Sequence, residues 1–224
     1  MSKKTVIDLY FDVISPYSRI AFEQFQSLLR YEKSWPIEVN LVPFFLGGVM
    51  KATGNKPPMM TPAKAIYMNK DLQRNADYWG VKLVPPKDLM ETLLNRGSLM
   101  AQRFLTAIDA RNKEHVAPVA RELWERVWVR NETIHMISDL REAAEKVKLP
   151  NAEALIAACN STSVKETIKK RTETAVNQGC FGAPWIVVHK GEREECFFGS
   201  DRMPLIAHTL GCTFDGPYPL RSNI

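Results

Sequence analysis

Apolar residues near the amino terminus form one continuous run, and the apolar residues behind it recur at helical spacing. Residues 5–11 are β-prone throughout, which is typical of a central strand buried on both faces. Ser15 and Pro16 follow as a helix start, because serine caps a helix and proline at its first position loses no hydrogen bond. Residues 17, 21, 25 and 28 then share one helical face, and residues 37–41 alternate as a strand. The first 45 residues therefore predict a right-handed βαβ unit with parallel strands.

From about residue 57 to residue 176, helical spacing replaces the strand pattern. Three segments carry their apolar residues on one face: Met100, Phe104, Ala107 and Ile108; Val116, Val119, Leu123 and Val127; and Leu140, Ala143, Ala144 and Val147. Ser163 and Glu166 form a capping-box pattern ahead of a further helix. This part of the chain is predicted to be entirely helical.

The strand pattern resumes near the carboxyl terminus. Residues 185–189 and 195–198 predict a hairpin with a turn at Lys190 and Gly191, and Gly199 and Ser200 are predicted to cap a final helix that Gly211 ends. Neither β half can cover a core alone, so both are predicted to share one sheet. The predicted fold is α/β, a thioredoxin-like βαβ–ββα fold interrupted by a large all-α insertion. Residues 1–62 and 177–224 are assigned to the thioredoxin-like domain, and residues 63–176 to the helical insert.

Composition narrows the class of protein. With 45% hydrophobic and 25% charged residues, the 224-residue chain is globular, which excludes a disordered or collagen-like chain. The net charge of +5 comes from basic and acidic residues that alternate along the chain, so nucleic acid is not expected as a partner.

Neither a signal peptide nor an apolar run of the ~18–20 residues that span a bilayer is found, so no membrane span is expected. The four cysteines form no CxxC pair or Cys/His cluster, which predicts a reducing compartment and neither a disulfide framework nor a metal site.

The end of the first strand is the first place where chemistry is expected, since ligands bind beyond the carboxyl ends of strands. Residues 15–18, Ser-Pro-Tyr-Ser, stand where thioredoxin-like oxidoreductases carry Cys-x-x-Cys. Serine cannot exchange disulfides, but its hydroxyl can donate to the thiolate of a ligand, and a helix N-terminus favours an anion. One charge-assisted hydrogen bond stabilises a thiolate by about 1.5–3 kcal/mol, which is sufficient to lower the pKa of a thiol from about 8.5 to near neutral pH. The alternative is that Ser15 only caps the helix.

Ala183 and Pro184 precede the third strand. A cis bond between them would turn the Ala183 N–H and C=O toward Ser15, where they can pair with a peptide backbone. The alternative is an ordinary trans proline at the first residue of a strand.

Three further features are candidates for ligand binding, and each has a simple structural alternative. Ser200 and Asp201 can hold an amino and carboxylate pair, or they can serve as a helix cap and a first-turn charge. Asn55 can bind a ligand or form a turn. Trp124 and Trp128, four residues apart, favour helix packing over a cofactor site.

In combination these segments resemble one family, the kappa class of glutathione transferases, which is related to the bacterial 2-hydroxychromene-2-carboxylate isomerases. The matching segments, in family order, are residues 12–18, 54–58, 97–99, 103–107, 121–128, 181–184 and 198–203. They extend over essentially the whole chain. One departure is Ala183, where vertebrate members usually carry leucine; the contact there is a backbone contact, so binding is expected to survive.

The resemblance implies a thioredoxin fold with a helical insert, a homodimer, and glutathione as cosubstrate beside a small electrophilic substrate. It implies that Ser15 acts on the glutathione sulfur as the catalytic residue. Further residues implied around the tripeptide are Pro16, Tyr17, Asn55, Pro62, Ala183, Pro184, Ser200 and Asp201. It also implies a location in mitochondria or peroxisomes, with the cytoplasm not excluded.

The leading functional hypothesis is conjugation, in which the thiolate held by Ser15 attacks an electrophilic carbon or a hydroperoxide. A second hypothesis is glutathione-dependent cis–trans isomerisation, in which the thiolate adds to a conjugated double bond and leaves after rotation. A third is a non-catalytic thioredoxin-fold binding module. Disulfide exchange is not expected unless Cys180, close before Pro184, is reactive.

Overall fold

A mixed sheet lies at the centre of the fold. The computed structural model describes residues 4–31 and 35–217, and within them four strands pair in the order β2-β1-β3-β4. The strands are β1 (Thr5–Phe11), β2 (Ile37–Pro43), β3 (Trp185–Lys190) and β4 (Arg193–Phe198). β1 and β2 are parallel, whereas β3 is antiparallel to both β1 and β4. This arrangement confirms the predicted βαβ unit, the hairpin and the thioredoxin-like α/β fold.

Most of the helical structure lies between β2 and β3 in the chain. The helices of the described residues are α1 (Pro16–Tyr31), α2 (Leu46–Thr53), α3 (Pro62–Trp79), α4 (Leu99–Asp109), α5 (Val116–Trp128), α6 (Ile137–Lys146), α7 (Ala152–Ala158), α8 (Thr162–Asn177) and α9 (Met203–Leu210). Short 3₁₀ turns cover Pro58–Met60 and Lys113–His115, and a π-helical segment covers Glu91–Arg96. The predicted helical insertion is therefore present; its division from the sheet as a separate domain stays a prediction. None of these described helices is long and apolar enough to cross a bilayer.

Helix α2 lies in a segment for which the sequence predicts no helix. Two glycines in its first turn, Gly47 and Gly48, each lower the helix propensity by about 1 kcal/mol relative to alanine. Tertiary packing explains why glycine stands there: a Cβ at residue 48 would lie 3.1 Å from the methyl group of Thr172 on α8. The hydroxyl of Thr172 also accepts a hydrogen bond from the Phe45 N–H at 3.0 Å. Close packing on α8 therefore stabilises a helix that the local sequence does not indicate.

The start of α8 differs from its prediction. The hydroxyl oxygen of Ser161 accepts from the N–H of Val164 at 3.3 Å, so Ser161 caps a helix that begins at Thr162. The predicted capping box of Ser163 and Glu166 is wrong and lies inside the first turns. Because residues 161–163 all carry hydroxyl groups, the sequence offered three adjacent capping candidates and the pattern did not select the right one.

The start of α9 also lies later than predicted. The helix begins at Met203, and Arg202 is the residue that precedes it. Gly199 and Ser200 therefore belong to the loop before α9, where Gly199 adopts a φ of 106° that few other residues tolerate. The predicted end of the helix is confirmed, because Gly211 follows α9 in a left-handed conformation.

A continuous hydrophobic core joins the sheet to the helical insertion. Trp124 of α5 is fully buried, and its ring centre lies 5.4 Å from that of Phe11 on β1 and 5.0 Å from that of Phe22 on α1. The burial of Trp124 confirms the prediction that this tryptophan packs in the core between helices. Its indole N–H donates to the carbonyl oxygen of Ser15 at 3.1 Å, so the core also fixes the residue that precedes α1.

Candidate active site

A cleft of about 880 Å³ opens beyond the carboxyl end of β1. Its volume falls within the range of about 300–1,000 Å³ that is usual for small-molecule sites. The starts of α1 and α2, the residues that follow α2, part of α3, and the loops before β3 and after β4 contribute to its wall. Seven of the candidate residues line it: Ser15, Pro16, Tyr17, Asn55, Ala183, Ser200 and Asp201.

Two candidate residues lie outside the cleft wall. Pro62 is the exposed first residue of α3 and does not line the cleft. Pro184 is buried behind Ala183, and the bond between them is cis. The carbonyl oxygen of Pro184 accepts from the N–H of Gly199 at 3.2 Å, which ties the loop before β3 to the loop after β4. Pro184 therefore supports the wall from behind.

Ser15 occupies the turn between β1 and α1 and is 6% exposed. Its hydroxyl oxygen accepts from the N–H of Ser18 at 3.1 Å, which confirms the capping interpretation. The same hydroxyl donates to the carbonyl oxygen of Ala183 at 3.3 Å. This second bond is longer than a usual O–H···O bond, so an acceptor on a ligand can replace it. Capping therefore leaves the hydroxyl proton available.

Asp12 lies beneath Ser15 and is fully buried. One carboxylate oxygen accepts from the N–H of Ile14 at 3.0 Å; the other accepts from the N–H of Leu46 and the hydroxyl of Ser98, each at 2.9 Å. Burial raises the pKa of Asp12 to about 6, although the three hydrogen bonds oppose that change. The sequence analysis did not single out Asp12, because one acidic residue after a strand has no distinctive spacing.

Tyr17 and Asp71 join α1 to α3 across one side of the cleft. The phenol of Tyr17 donates to a carboxylate oxygen of Asp71 at 2.8 Å, and the phenol of Tyr67 donates to the other at 3.5 Å. Burial, together with the neighbouring Asp71, raises the pKa of Tyr17 well above its ordinary value, so the phenol stays protonated. Sequence reasoning missed Asp71 and Tyr67, since charged and polar residues on a mostly exposed helix are typical of a solvated face.

The side chain of Asn55 connects two loops of the cleft. Its amide nitrogen donates to the carbonyl oxygen of Phe181 at 2.6 Å, and its amide oxygen accepts from the N–H of Lys56 at 2.8 Å. Both atoms of the amide are therefore used to shape the wall. The turn-forming interpretation of Asn55 agrees with this geometry.

Both signs of charge are present around the cleft. Lys51, Lys56 and Lys64 line it, and none of the three forms an ion pair with another residue of the described ranges. Asp71 and Asp201 supply negative charge, and Asp201 lies 3.4 Å from Arg202. This distribution suits a ligand that carries carboxylates and an ammonium group. Single lysines spaced along a chain usually mark a solvated surface, which is why the sequence did not reveal them.

Much of the remaining wall is apolar and rich in methionine. Its larger apolar side chains include Phe45, Leu46, Met50, Met59, Met60, Met68, Leu93, Leu94, Phe181 and Phe198. The rings of Phe181 and Phe198 are in contact, with centres 4.3 Å apart. Methionine side chains adapt to ligands of different shape, so this wall offers a deformable surface to an apolar molecule.

Cys180 lies outside the cleft. It is buried, its thiol donates to the carbonyl oxygen of Gly182 at 3.1 Å, and burial raises its pKa to about 11. A thiol that resists ionisation is a poor nucleophile, so nothing in this geometry supports disulfide exchange at Cys180. Among residues 4–31 and 35–217, no group of three His, Cys, Asp or Glu side chains is placed to hold a metal ion.

Comparison with known proteins agrees with the resemblance. The family of the DsbA-like thioredoxin domain matches residues 6–211. Glutathione S-transferase kappa 1 of Homo sapiens is 40% identical over 219 residues, which cover 97% of this chain and 96% of that protein. The 2-hydroxychromene-2-carboxylate isomerase of Pseudomonas putida is 25% identical over 209 residues, which cover 92% of this chain and 94% of that protein.

A solved structure of 2-hydroxychromene-2-carboxylate isomerase has the same fold, with a TM-score of 0.70 at 23% identity over 92% of this chain and 94% of that one. The fold and the recognised family are thereby confirmed. On the strength of its near-complete match, the chain belongs to the kappa class of glutathione S-transferases, within the family of DsbA-like thioredoxin domains.

Proposed function

We propose that this protein is a glutathione transferase that binds glutathione in the cleft and stabilises its thiolate at Ser15. The thiolate then attacks a small electrophilic substrate. The observation that carries the proposal is the Ser15 hydroxyl, which lies in the cleft at the start of α1 and whose proton is held only by the long bond to Ala183.

Ser15 and the start of α1 act together on the sulfur. The helix dipole favours a negative charge there, and the hydroxyl turns from the Ala183 carbonyl oxygen to the sulfur. A charge-assisted hydrogen bond of about 1.5–3 kcal/mol is sufficient to bring a thiol pKa of about 8.5 near neutrality. The thiol proton passes to the solvent that fills the open cleft, and no covalent bond to the protein forms.

The remaining polar residues hold the tripeptide. The Ala183 backbone pairs with the cysteinyl residue of glutathione, and Pro16 and Tyr17 lie beside its sulfur. Ser200 and Asp201 bind the γ-glutamyl end, and the unpaired lysines elsewhere in the wall attract the carboxylates of the tripeptide. The proposed proximity of Pro62 to the tripeptide rests on the family resemblance alone, since that residue lies outside the wall.

The methionine-rich wall receives the second substrate. With an electrophilic carbon, the sulfur forms a carbon–sulfur bond and the leaving group departs, or the pair of electrons moves into a conjugated system. With a hydroperoxide, the thiolate attacks the outer oxygen, which gives an alcohol and a glutathione sulfenic acid; a second glutathione then forms the disulfide and water. Both reactions use the same thiolate.

The test compares two capping serines. In Ser15→Ala, the pKa of the bound glutathione thiol, followed by thiolate absorbance, is expected to rise by about 1 to 2. Ser161→Ala is the matched control, because Ser161 also caps a helix but does not line the cleft. It should leave the thiol pKa unchanged. An unaltered titration in Ser15→Ala would refute the proposed role.

The second candidate activity is cis–trans isomerisation, which the 25% identity to an isomerase of Pseudomonas putida favours. Mass spectrometry of the products separates the two activities. Conjugation leaves glutathione in the product, whereas isomerisation releases it unchanged. If calorimetry shows glutathione binding but no substrate of either class turns over, the chain is a binding module.

Assembly and location are further parts of the proposal and rest on the family resemblance. We expect a homodimer, which light scattering during gel filtration tests by mass. We expect the protein in mitochondria or peroxisomes and a role in detoxification of electrophiles. Fractionation of cells with markers for both organelles and for the cytoplasm tests the location.

A further inference from the structure

Two aromatic side chains of the cleft wall remain partly exposed. Phe181, in the loop before β3, and Phe198, the last residue of β4, are 43% and 37% exposed. Their ring centres lie 4.3 Å apart, and the ring planes meet at 47°. Apolar surface that stays in contact with water inside a cleft favours a ligand that covers it. The two rings, which we call the aromatic pair, therefore offer a face to an apolar group of a ligand.

Gly182 allows one ring of the aromatic pair to lie directly on the backbone. A Cβ at residue 182 would lie 2.7 and 3.2 Å from two ring atoms of Phe198. Gly182 is not among the glycines of the described residues that have a positive φ, so its backbone conformation does not require glycine. The close approach of the Phe198 ring therefore explains why residue 182 has no side chain.

Hydrogen bonds hold the backbone on both sides of the aromatic pair. The carbonyl oxygen of Phe181 accepts from the side-chain amide of Asn55 at 2.6 Å. The N–H of Gly199, the residue after Phe198, donates to the carbonyl oxygen of Pro184 at 3.2 Å. The face is therefore formed before a ligand binds, which lowers the entropic cost of binding.

The aromatic pair lies close in the chain to the hydroxyl-bearing side of the cleft. Gly182 precedes Ala183, whose carbonyl oxygen accepts from the hydroxyl of Ser15 at 3.3 Å. Because consecutive Cα atoms are about 3.8 Å apart, the Phe198 ring and the Ser15 hydroxyl flank the same short stretch of backbone. A group bonded to a sulfur at Ser15 therefore has the aromatic pair as an apolar neighbour.

We propose that Phe181 and Phe198 are specificity-determining residues, which stack on a planar aromatic group next to the reacting atom of the second substrate. The inference rests on the proposed function, because it requires the glutathione sulfur at Ser15. The angle of 47° allows a third ring to stack on one ring and to meet the edge of the other. Such contacts strengthen binding about two- to tenfold beyond the burial of apolar area, and a saturated group of the same size lacks them.

The experiment compares two glutathione derivatives that differ in the planarity of the group on sulfur. S-benzylglutathione and S-(cyclohexylmethyl)glutathione carry the same tripeptide and the same number of added carbon atoms, but only the first has an aromatic ring. Calorimetry with the full-length protein measures both dissociation constants. Burial alone predicts equal or tighter binding of the cyclohexylmethyl derivative, because its ring is at least as apolar. We expect the wild type to bind the benzyl derivative about two- to tenfold more tightly.

Three variants test whether the aromatic pair causes this preference. Phe181→Leu and Phe198→Leu should each bring the ratio of the two dissociation constants close to one. Gly182→Ala keeps both rings but displaces that of Phe198, so the ratio should fall here as well. The matched control is Tyr78→Leu, because Tyr78 is exposed and its ring centre lies 5.0 Å from that of Trp79, outside the cleft. The control should keep the wild-type ratio.

Unmodified glutathione separates this inference from the proposed function. If glutathione does not bind to the wild type, the proposed function fails and the inference fails with it. If glutathione binds but the wild type does not prefer the benzyl derivative, only the inference is overturned. A preference that persists in Phe181→Leu, Phe198→Leu and Gly182→Ala also overturns it. The same holds if both leucine variants lose as much affinity for glutathione as for its benzyl derivative, since the rings would then contact the tripeptide.

Discussion

The hydroxyl of Ser15 donates to the carbonyl oxygen of Ala183 at 3.3 Å, across a separation of 168 residues in the chain. This bond joins the start of α1 to the loop before β3. The hydroxyl oxygen of Ser15 also accepts from the N–H of Ser18 at 3.1 Å, in the first turn of the helix that Ser15 caps. Ser15 therefore combines a local capping bond with a donor directed at a second loop, and substitutions can separate the two.

The first prediction uses Ser15→Asp, because aspartate caps a helix about as well as serine but carries a negative charge. We expect the free energy of unfolding to stay within about 0.5 kcal/mol of the wild type, whereas Ser15→Ala should lose about 1 kcal/mol. The thiol pKa of bound glutathione should rise in both variants, since neither donates a hydrogen bond at neutral pH. Urea unfolding and thiolate titration measure the two effects. A wild-type thiol pKa in Ser15→Asp would mean that Ser15 acts only as a cap.

The second prediction concerns the bond from Asn55 to Phe181. Asn55→Ala removes a tie of 2.6 Å between two loops, and we expect KM for glutathione to rise about fivefold, equivalent to about 1 kcal/mol, with kcat nearly unchanged. The control is Asn95→Ala, because the Asn95 amide donates to Glu91 at the same distance but lies outside the cleft. Equal kinetics of the two variants would contradict this role of Asn55.

The third prediction concerns stability and pH. Asp12 has a pKa of about 6 in the folded protein against 3.8 in an ordinary environment, so the folded state binds this proton more tightly. Its contribution to stability is greatest below about pH 4 and is lost as the pH rises through about 6, by on the order of 3 kcal/mol. Urea unfolding of the wild type and of Asp12→Asn between these pH values measures the difference, which should fall toward neutral pH. A difference that does not vary with pH would show that Asp12 is already an ordinary acid in the folded state.

The fourth prediction concerns the cysteines. Cys196 is exposed, whereas Cys180 is buried with a pKa raised to about 11, so a thiol reagent at neutral pH should label Cys196 well before Cys180. Cys180→Ser keeps a donor for the Gly182 carbonyl oxygen and should retain transferase activity. Peptide mass mapping after timed labelling checks the order. Early labelling of Cys180 would reopen disulfide exchange as a function.

The parts of the fold that were predictable depend on neighbouring residues. Ser15 with Pro16 marks the start of α1, and Gly211 marks the end of α9, because each acts within one helical turn. Helix α2 was not predictable, since Gly48 is explained by Thr172, which lies far away in the chain.

The residues of the candidate site were likewise only partly predictable from the sequence. The segments around Ser15, Ala183 and Ser200 were found because strand ends and a family resemblance point to them. Asp12 and Asp71 were not predicted, because their roles depend on distant parts of the chain. Asp12 is fully buried in the folded protein, and Asp71 accepts a hydrogen bond from the phenol of Tyr17. Neither environment leaves a pattern in the residues beside them.

The indole of Trp124 donates to the backbone of the Ser15 turn from the core. The helical insertion is therefore more than a cover over the cleft, because one of its helices anchors the serine to which the proposed chemistry is assigned. A shortened chain that kept the sheet but lacked α5 would lose this hydrogen bond to the Ser15 backbone. Transplanting the Ser-Pro-Tyr-Ser turn into another thioredoxin scaffold would likewise require an indole placed behind the turn.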